Sequence, residues 1–241
     1  MTVNILIGRT VHVPVRLHWS VLGTGALVVV IAVVAVPTTA DGYPVVAYWV
    51  AGVVMAVLFA ASMLAHELAH VAVARHWDVR TRRVTLWFGG GITDLAATPR
   101  SAKAEFLISA AGPAATLGIG TLLLTIAGVA AEFGLAPIVV AALAWLAVIH
   151  GLVVLENLLP GVSADGGQML YAAPRHRLDA ERATTIVVRV CRVLGGLVVG
   201  AGIVVGFTAD VVGGLIVAAI GVFLISDSNR ARLADDSIVR R

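Results

Sequence analysis

Long apolar stretches with few charges alternate with short polar segments along most of this chain. Six of these stretches reach, or come close to, the length that a helix needs to cross a bilayer. They are residues 19–36, 45–76, 106–131, 137–159, 186–207 and 211–225. The pattern therefore predicts an all-α polytopic membrane protein with six transmembrane helices over residues 19–226, followed by a cytosolic tail over 227–241.

Three segments depart from this helical pattern. Residues 1–18 alternate apolar and polar positions, which predicts a short strand or an interfacial segment before the first span. Residues 78–95 hold two β-like runs around a glycine cluster at 89–91, which predicts a short membrane-associated β-hairpin. The Pro160-Gly161 pair ends the fourth apolar run, so the fourth helix is expected to be broken there.

Composition supports the membrane interpretation and excludes several kinds of site and partner. The chain is 59% hydrophobic and 13% charged, with a mean hydropathy of +0.98, which excludes an ordinary soluble domain. The lone cysteine, Cys191, excludes an internal disulfide framework and a Cys-rich metal site. The net charge of +3 does not indicate a nucleic-acid partner, because the basic residues flank the apolar spans.

The distribution of basic residues predicts the orientation of the spans. With six spans and an inner N-terminus, all 17 Lys and Arg lie on the inner side or at the inner end of a span. The three outer turns carry only Asp41, Glu132 and Asp210 as charged residues. By the positive-inside rule, both termini are expected in the cytosol.

A His-Glu-x-x-His motif, His66 to His70, lies at the end of the second apolar run. On a helix its two histidines share one face and can bind one metal ion, and Glu67 is placed to take a proton from a metal-bound water. A chance match, or two histidines that merely find hydrogen-bond partners, is the alternative. Ionisable groups in a membrane helix cost about 3 kcal/mol each, so three in five positions favour a shared role at one Zn²⁺.

The predicted topology brings a carboxylate to the same membrane depth. His66 lies about 30 Å along a helix that starts near Val45 on the outer side, hence near the inner face. Asp165 follows the inner end of the fourth span. This coincidence supports Asp165 as the third metal ligand beside His66 and His70.

At this point the sequence resembles the site-2 protease family of intramembrane zinc metalloproteases, in particular its six-span branch, without the CBS and PDZ domains. The resemblance rests on segments that follow one another in the family's order: His66–His70, the cluster Gly89, Gly90 and Gly91, Ala111-Gly112-Pro113, and the run from Asn157 to Gly167 that contains Asp165-Gly166-Gly167. It implies that His66, His70 and Asp165 bind one zinc ion, that Glu67 activates water, and that the glycine hairpin receives an unwound substrate strand.

Several positions depart from the family pattern. Ser163 and Ala164 precede Asp165 where the family usually has a proline and a large hydrophobe, and Glu156 replaces a common aromatic residue. His150 stands where the family often has an asparagine that supports the tetrahedral intermediate, and it shares a helix face with Asn157. His150 either donates that hydrogen bond or is satisfied by a neighbouring helix; both interpretations stay open.

Two function classes follow. The first is an intramembrane zinc endopeptidase acting in regulated intramembrane proteolysis. The second is a non-catalytic metal-binding membrane protein, either an inactive protease relative or a metal carrier. Retention of Glu67 with all three ligands favours the enzyme, because a carrier needs no general base. The resemblance implies a single-span substrate such as an anti-sigma factor or a sigma-factor precursor, a regulatory membrane partner, and a prokaryotic plasma membrane.

Overall fold

The computed structural model describes residues 4–10, 13–161 and 164–239. Within these residues it contains seven α-helices and four β-strands. The helices are α1 (Val21–Ala35), α2 (Val45–His76), α3 (Ala102–Glu132), α4 (Pro137–Leu158), α5 (Asp165–Ala172), α6 (Ala180–Thr208) and α7 (Val211–Val239). The strands are β1 (Asn4–Thr10), β2 (Val13–His18), β3 (Thr81–Trp87) and β4 (Gly90–Leu95).

The apolar helices have the lengths that a membrane requires. Over the described ranges, five helical stretches are long and apolar enough to cross a bilayer: Val21–Thr38, Val45–His76, Ala102–Glu132, Pro137–Leu158 and Glu181–Thr208. The apolar part of α7, Gly213–Ser228, is shorter. The prediction of a mostly helical, multi-pass membrane protein is therefore confirmed, whereas the number of six spans stays a prediction.

The chain divides into two compact units. The first comprises residues 1–99 and 111–155, and the second comprises residues 100–110 and 156–241. The first unit thus holds the sheet, α1, α2 and the larger parts of α3 and α4. The second holds the start of α3, the end of α4, and α5 to α7.

An apolar core joins α1, α2 and α4 in the first unit. Met55 and Phe59 of α2 are buried among Val28 and Ala32 of α1 and Leu146 of α4. The buried positions of α2 recur every three or four residues, as expected for one helix face, and the same face continues to the His-Glu-x-x-His motif. Packing along α2 therefore fixes the direction in which the motif points.

The sheet is larger than the predicted hairpin. β3 and β4 form the expected antiparallel pair, joined through Phe88 and Gly89, but β2 also pairs with β3 in parallel and β1 pairs with β2 antiparallel. The N-terminal segment thus supplies two strands where one was expected. Val84 of β3 is fully buried, in a cluster with Val13 and Val71, which fastens the sheet against α2.

The tip of the hairpin is tied to the start of α1. The Phe88 amide donates to Ser20 Oγ at 3.0 Å, and Thr24 Oγ1 donates to the Phe88 carbonyl at 2.8 Å. Gly90 follows the turn with φ of +115°, a conformation that side-chain-bearing residues rarely adopt. These contacts hold the hairpin at one position beside α1.

In the second unit, α6 and α7 pack closely through glycines. A Cβ on Gly202 or Gly214 would collide with the backbone of the opposite helix. Small residues at such positions let two membrane helices approach closely.

Two polar contacts tie other elements of this unit together. The buried Cys191 thiol of α6 donates to the Pro160 carbonyl, which fastens the break after α4 to α6. A partly buried ion pair of 2.6 Å joins Arg175 to Glu105 of α3.

Candidate metal centre

Three buried polar side chains lie together on α2. His66, Glu67 and His70 are each exposed by 6% or less, although they stand in an otherwise apolar helix. One possible ligand atom from each lies within 4.8 Å of the others. Buried ionisable groups need partners or a metal, so this group is a candidate metal centre.

The two histidines have the geometry of a shared ligand pair. His66 Nε2 and His70 Nε2 are 3.2 Å apart, and the rings meet edge to face at 76°. Two nitrogens bound to one tetrahedral zinc at 2.0–2.1 Å would lie about 3.3 Å apart. The observed separation therefore fits a metal ion held by both Nε2 atoms.

Gly112 of α3 packs directly against the two histidines. A Cβ built on this glycine would lie too close to His66 Nε2 and to His70 Nε2 for any ordinary contact. The absence of a side chain thus lets α3 approach both nitrogens closely. A larger residue at this position would displace the two histidine rings.

The other ring nitrogen of His66 is held by a second helix. His66 Nδ1 lies 2.8 Å from Thr116 Oγ1, and Thr116 is only 1% exposed. Thr116 stands one turn after Gly112 on α3, so both residues face the histidines from the same helix face. This hydrogen bond fixes the plane of the His66 ring.

The hairpin positions Glu67. Thr93 Oγ1 donates to Glu67 Oε2 at 2.6 Å, and Glu67 Oε1 lies 3.9 Å from His66 Nε2. Gly91 lies against the same carboxylate, where a Cβ would collide with Glu67 Oε1. Gly91 and Thr93 alternate along β4 and hence point to the same face of the sheet. The carboxylate is therefore packed between α2 and β4.

The outer side of β4 has no strand partner among the described residues, since the sheet order ends with β4. The Ala96 amide donates to the Arg80 carbonyl at 2.7 Å, toward β3. Because successive amides of a strand alternate in direction, the amides of Ile92 and Asp94 face β3, and those of Gly91 and Thr93 face the open edge. The residues of this edge, Gly91 and Thr93, also contact the Glu67 carboxylate.

His150 lies in a buried helix contact. Its Nε2 is 2.7 Å from Ser62 Oγ of α2, its Nδ1 is 2.7 Å from the Leu146 carbonyl, and its ring meets Phe59 edge to face. Both ring nitrogens thus have partners, and one of them links α4 to α2. This is the arrangement expected of a histidine that is satisfied by a neighbouring helix.

The remaining predicted site residues belong to the second unit. Asn157 lies near the end of α4, Asp165 is the first residue of α5, and Ser163 lies outside the described residues. A Cβ on Gly166 would collide with the Leu158 carbonyl, so the glycine after Asp165 allows α5 to start against the end of α4. The role of Asp165 as a ligand stays a prediction.

Sequence reasoning missed Thr116 and the contact of Thr93 with Glu67. A signal for Thr116 exists in the spacing of Gly112, Thr116 and Gly120, small residues at i, i+4 and i+8 that mark a close-packed helix face. Gly120 does lie against His150, since a Cβ built on Gly120 would be 3.0 Å from the His150 Cβ. Thr93 gave no comparable signal, because its contact with Glu67 joins two distant segments.

The comparisons with known proteins agree with this geometry. Residues 54–136, which include the motif and Gly112, match the family model described as Peptidase family M50. The chain is 39% identical over 226 residues to Rip3 of Mycobacterium tuberculosis, which is named as a zinc metalloprotease; the match covers 91% of this chain and 56% of Rip3. It is 32% identical over 134 residues to sll0528 of Synechocystis sp., also named as a zinc metalloprotease, with 56% of this chain and 34% of that protein covered.

A solved structure has the same fold. The site-2 protease from Methanocaldococcus jannaschii matches 95% of this chain and 94% of its own with a TM-score of 0.57, at 19% identity. The chain spans about half the length of the Rip3 sequences that it matches. The recognised motifs, the family model and the named relatives agree: the chain is similar to peptidase family M50 and has the fold of a site-2 protease.

Proposed function

We propose that this chain is a zinc endopeptidase that hydrolyses a peptide bond in or near a transmembrane segment of a single-span membrane protein. The observation that carries the proposal is the buried group on α2, in which His66 Nε2 and His70 Nε2 lie 3.2 Å apart beside Glu67. Relatives named as zinc metalloproteases support both the metal and the reaction class.

His66 and His70 would hold the zinc through their Nε2 atoms, and we assign Asp165 as the third ligand. The support for Asp165 is its place in the Asp-Gly-Gly motif and at the start of α5. A zinc site with three protein ligands keeps one position open for water or substrate. When bound, zinc would supply Lewis acidity toward the scissile carbonyl and toward water.

Glu67 is proposed as the general base. Its carboxylate takes the proton of the attacking water and passes it to the leaving amine, so the peptide C–N bond breaks while the carboxyl product keeps the water oxygen. The hydrogen bond from Thr93 to Oε2 holds the carboxylate in one orientation. A fixed base needs little reorganisation during proton transfer.

The open edge of β4 is proposed to bind the substrate backbone. A peptide bond inside a helix is shielded and already hydrogen-bonded, so the substrate must unwind before water can attack. Main-chain pairing with Gly91 and Thr93 would hold the unwound segment as an added strand. Edge donors in hydrocarbon cost several kcal/mol when unsatisfied, so water or substrate is expected to cover them.

An apolar cavity between α1, α2 and the turn of the hairpin suits a membrane-derived substrate. Its volume is about 360 Å³, and its walls include Val29 of α1, Phe59 and Met63 of α2, and Gly90 of β4. Met63 precedes Glu67 by one helical turn. The cavity therefore offers space for apolar substrate side chains close to the proposed base.

The finer assignments rest on the charge pattern and on the family. We propose a prokaryotic plasma membrane with both termini in the cytosol, because the basic residues cluster on one predicted side. An anti-sigma factor or a membrane-tethered sigma-factor precursor is the proposed substrate, and a second membrane protein would regulate its cleavage. The Gly89–Gly91 turn and Asn157 are assigned to substrate support.

Zinc content and peptide cleavage, measured together, test the proposal. The purified chain in liposomes should hold about one zinc ion and cleave a single-span reporter protein. His66→Ala should lose the metal, Asp165→Ala should bind it more weakly, and Asp41→Ala, an exposed loop variant, should match the wild type. A wild-type chain that binds no zinc would contradict the metal site. A zinc-loaded chain that cleaves no single-span protein would favour the non-catalytic alternative.

A further inference from the structure

The buried hydroxyl of Thr116 is not used by any step of the proposed reaction. It lies on α3, 2.8 Å from the nitrogen of His66 that faces away from His70. A threonine inside an apolar helix bundle has no need of such a partner for packing, because valine has the same shape. We therefore look for the role of this hydroxyl in the chemistry of His66.

The reason for this contact is which ring nitrogen of His66 carries the proton. A neutral imidazole carries one N–H and one nitrogen lone pair, and a metal can bind only through the lone pair. The 3.2 Å separation of the two Nε2 atoms makes Nε2 the metal-binding nitrogen of His66. The proton must then stay on Nδ1, and this N–H can donate a hydrogen bond to Thr116 Oγ1.

We propose that Thr116 is a positioning residue for the metal site: its Oγ1 accepts a hydrogen bond from the Nδ1–H of His66 and so keeps Nε2 as the metal-binding nitrogen. The inference rests on the proposed metal site and adds a residue to it. Outer hydrogen-bond partners of this kind orient metal-binding histidines, and their loss commonly weakens metal binding about 10- to 100-fold.

The surroundings of Thr116 explain why this helix can supply the contact. Gly112, one turn earlier, has no side chain and lets α3 approach the histidines closely. Gly120, one turn later, lies against His150 in the same way. Thr116 is thus the one residue of this three-residue stripe with a side chain that can reach into the centre.

The experiment compares three variants of the full 241-residue chain in detergent. Thr116→Val removes the acceptor but keeps the shape, Thr116→Ser keeps the hydroxyl but loses the methyl group, and Thr121→Val is the matched control. Thr121 lies on α3 too, but it is exposed and donates to the Leu117 carbonyl of its own helix. Zinc affinity is measured by competition with a chelator, and folding is measured by thermal unfolding.

The proposal predicts that Thr116→Val binds zinc about 10- to 100-fold more weakly than the wild type, while Thr116→Ser and Thr121→Val stay close to it. If Thr116→Val does not fold, Thr116→Ala replaces it in the comparison with Thr116→Ser. Equal zinc affinity of the valine and wild-type proteins would overturn the proposal. Equal weakening by valine and serine would do so too, because packing and not the hydroxyl would then matter.

A second readout is independent of the metal. In the metal-free protein labelled with ¹⁵N-histidine, the His66 signals should show a protonated Nδ1 in the wild type and in Thr116→Ser. The valine variant should lose this preference. An unchanged His66 signal in Thr116→Val would overturn the tautomer assignment. A wild-type chain without measurable zinc affinity is a different result, because it would reject the proposed metal site itself.

Discussion

Gly112 matters at the scale of the single residue because it has no side chain. A Cβ at this position would collide with both histidine Nε2 atoms, the proposed metal-binding nitrogens, and would displace them. We expect Gly112→Ala to lose zinc although alanine is a better helix former than glycine. The matched control is Gly118→Ala on the same helix, where an added Cβ meets nothing within 4 Å.

Zinc content per purified chain, measured by atomic emission, checks this prediction, with circular dichroism as the test of folding. The alanine variant at 112 should be folded and metal-poor, whereas the variant at 118 should hold as much zinc as the wild type. If both variants retain zinc equally, a Cβ at residue 112 does not displace the metal-binding nitrogens and the proposed pair of ligands is wrong.

Gly91 has the corresponding role for the proposed base. A methyl group there would push against the Glu67 carboxylate, which Thr93 holds from the same strand. We expect Gly91→Ala to cut peptide cleavage at least tenfold while zinc content stays near that of the wild type, because the metal-binding nitrogens are not displaced. Cleavage at the wild-type rate would mean that the carboxylate can move without consequence.

At the scale of the element, β4 is proposed both to orient the Glu67 base and to bind the substrate backbone. The Thr93 amide faces the open edge, whereas the Ile92 amide faces β3 opposite Thr85. Thr93→Pro removes an edge donor together with the hydroxyl, and Thr93→Val removes the hydroxyl alone. Proline is tolerated on an outward-facing edge position but not at a ladder position.

We therefore expect Thr93→Pro to cleave a single-span substrate more slowly than Thr93→Val, with similar zinc content in both. Ile92→Pro should impair cleavage as well, but by breaking the β3–β4 ladder, and should also lower the unfolding temperature. Initial cleavage rates and thermal unfolding distinguish the two causes. If Thr93→Pro and Thr93→Val cleave equally fast, the substrate backbone does not pair at Thr93.

The elements differ in how far the sequence predicts them. The long helices and the β3–β4 hairpin follow from local patterns: apolar length for the helices, and two β-like runs around glycines for the hairpin. The pairing of β2 with β3 joins segments some 70 residues apart, and no local pattern encodes such a contact. The short helix α5 was missed because Asp165-Gly166-Gly167 contains poor helix formers, which tertiary packing overrides.

In the candidate site, too, local contacts can be predicted from the sequence and long-range contacts cannot. His66, Glu67 and His70 belong to one helical motif, so their proximity follows from the 3.6-residue period. Thr116 and Thr93 reach this group from other elements, at sequence separations of 50 and 26 residues. Only the packed structure identifies such contacts.

At the scale of the whole molecule, the orientation in the membrane is the main open prediction. Asp41 precedes α2 and Arg82 lies on β3 after it, and both side chains are exposed. Because α2 is long and apolar enough to cross a bilayer, we expect these residues on opposite sides. A membrane-impermeant thiol reagent applied to intact cells should label Asp41→Cys and spare Arg82→Cys.

Both labelling variants can be made with Cys191 in place, since its thiol is buried and donates to the Pro160 carbonyl. Labelling after cell lysis is the control for accessibility at residue 82. Equal labelling of both positions in intact cells would contradict the predicted topology.

The central claim is that this chain hydrolyses peptide bonds with a zinc ion and Glu67, and one comparison tests it most directly. Wild type and Glu67→Gln, each reconstituted in liposomes at matched zinc content, are given the same single-span reporter. Glutamine keeps the size of the side chain but cannot take a proton, so we predict that cleavage falls at least a hundredfold while zinc stays bound. Cleavage by Glu67→Gln at the wild-type rate would contradict the account.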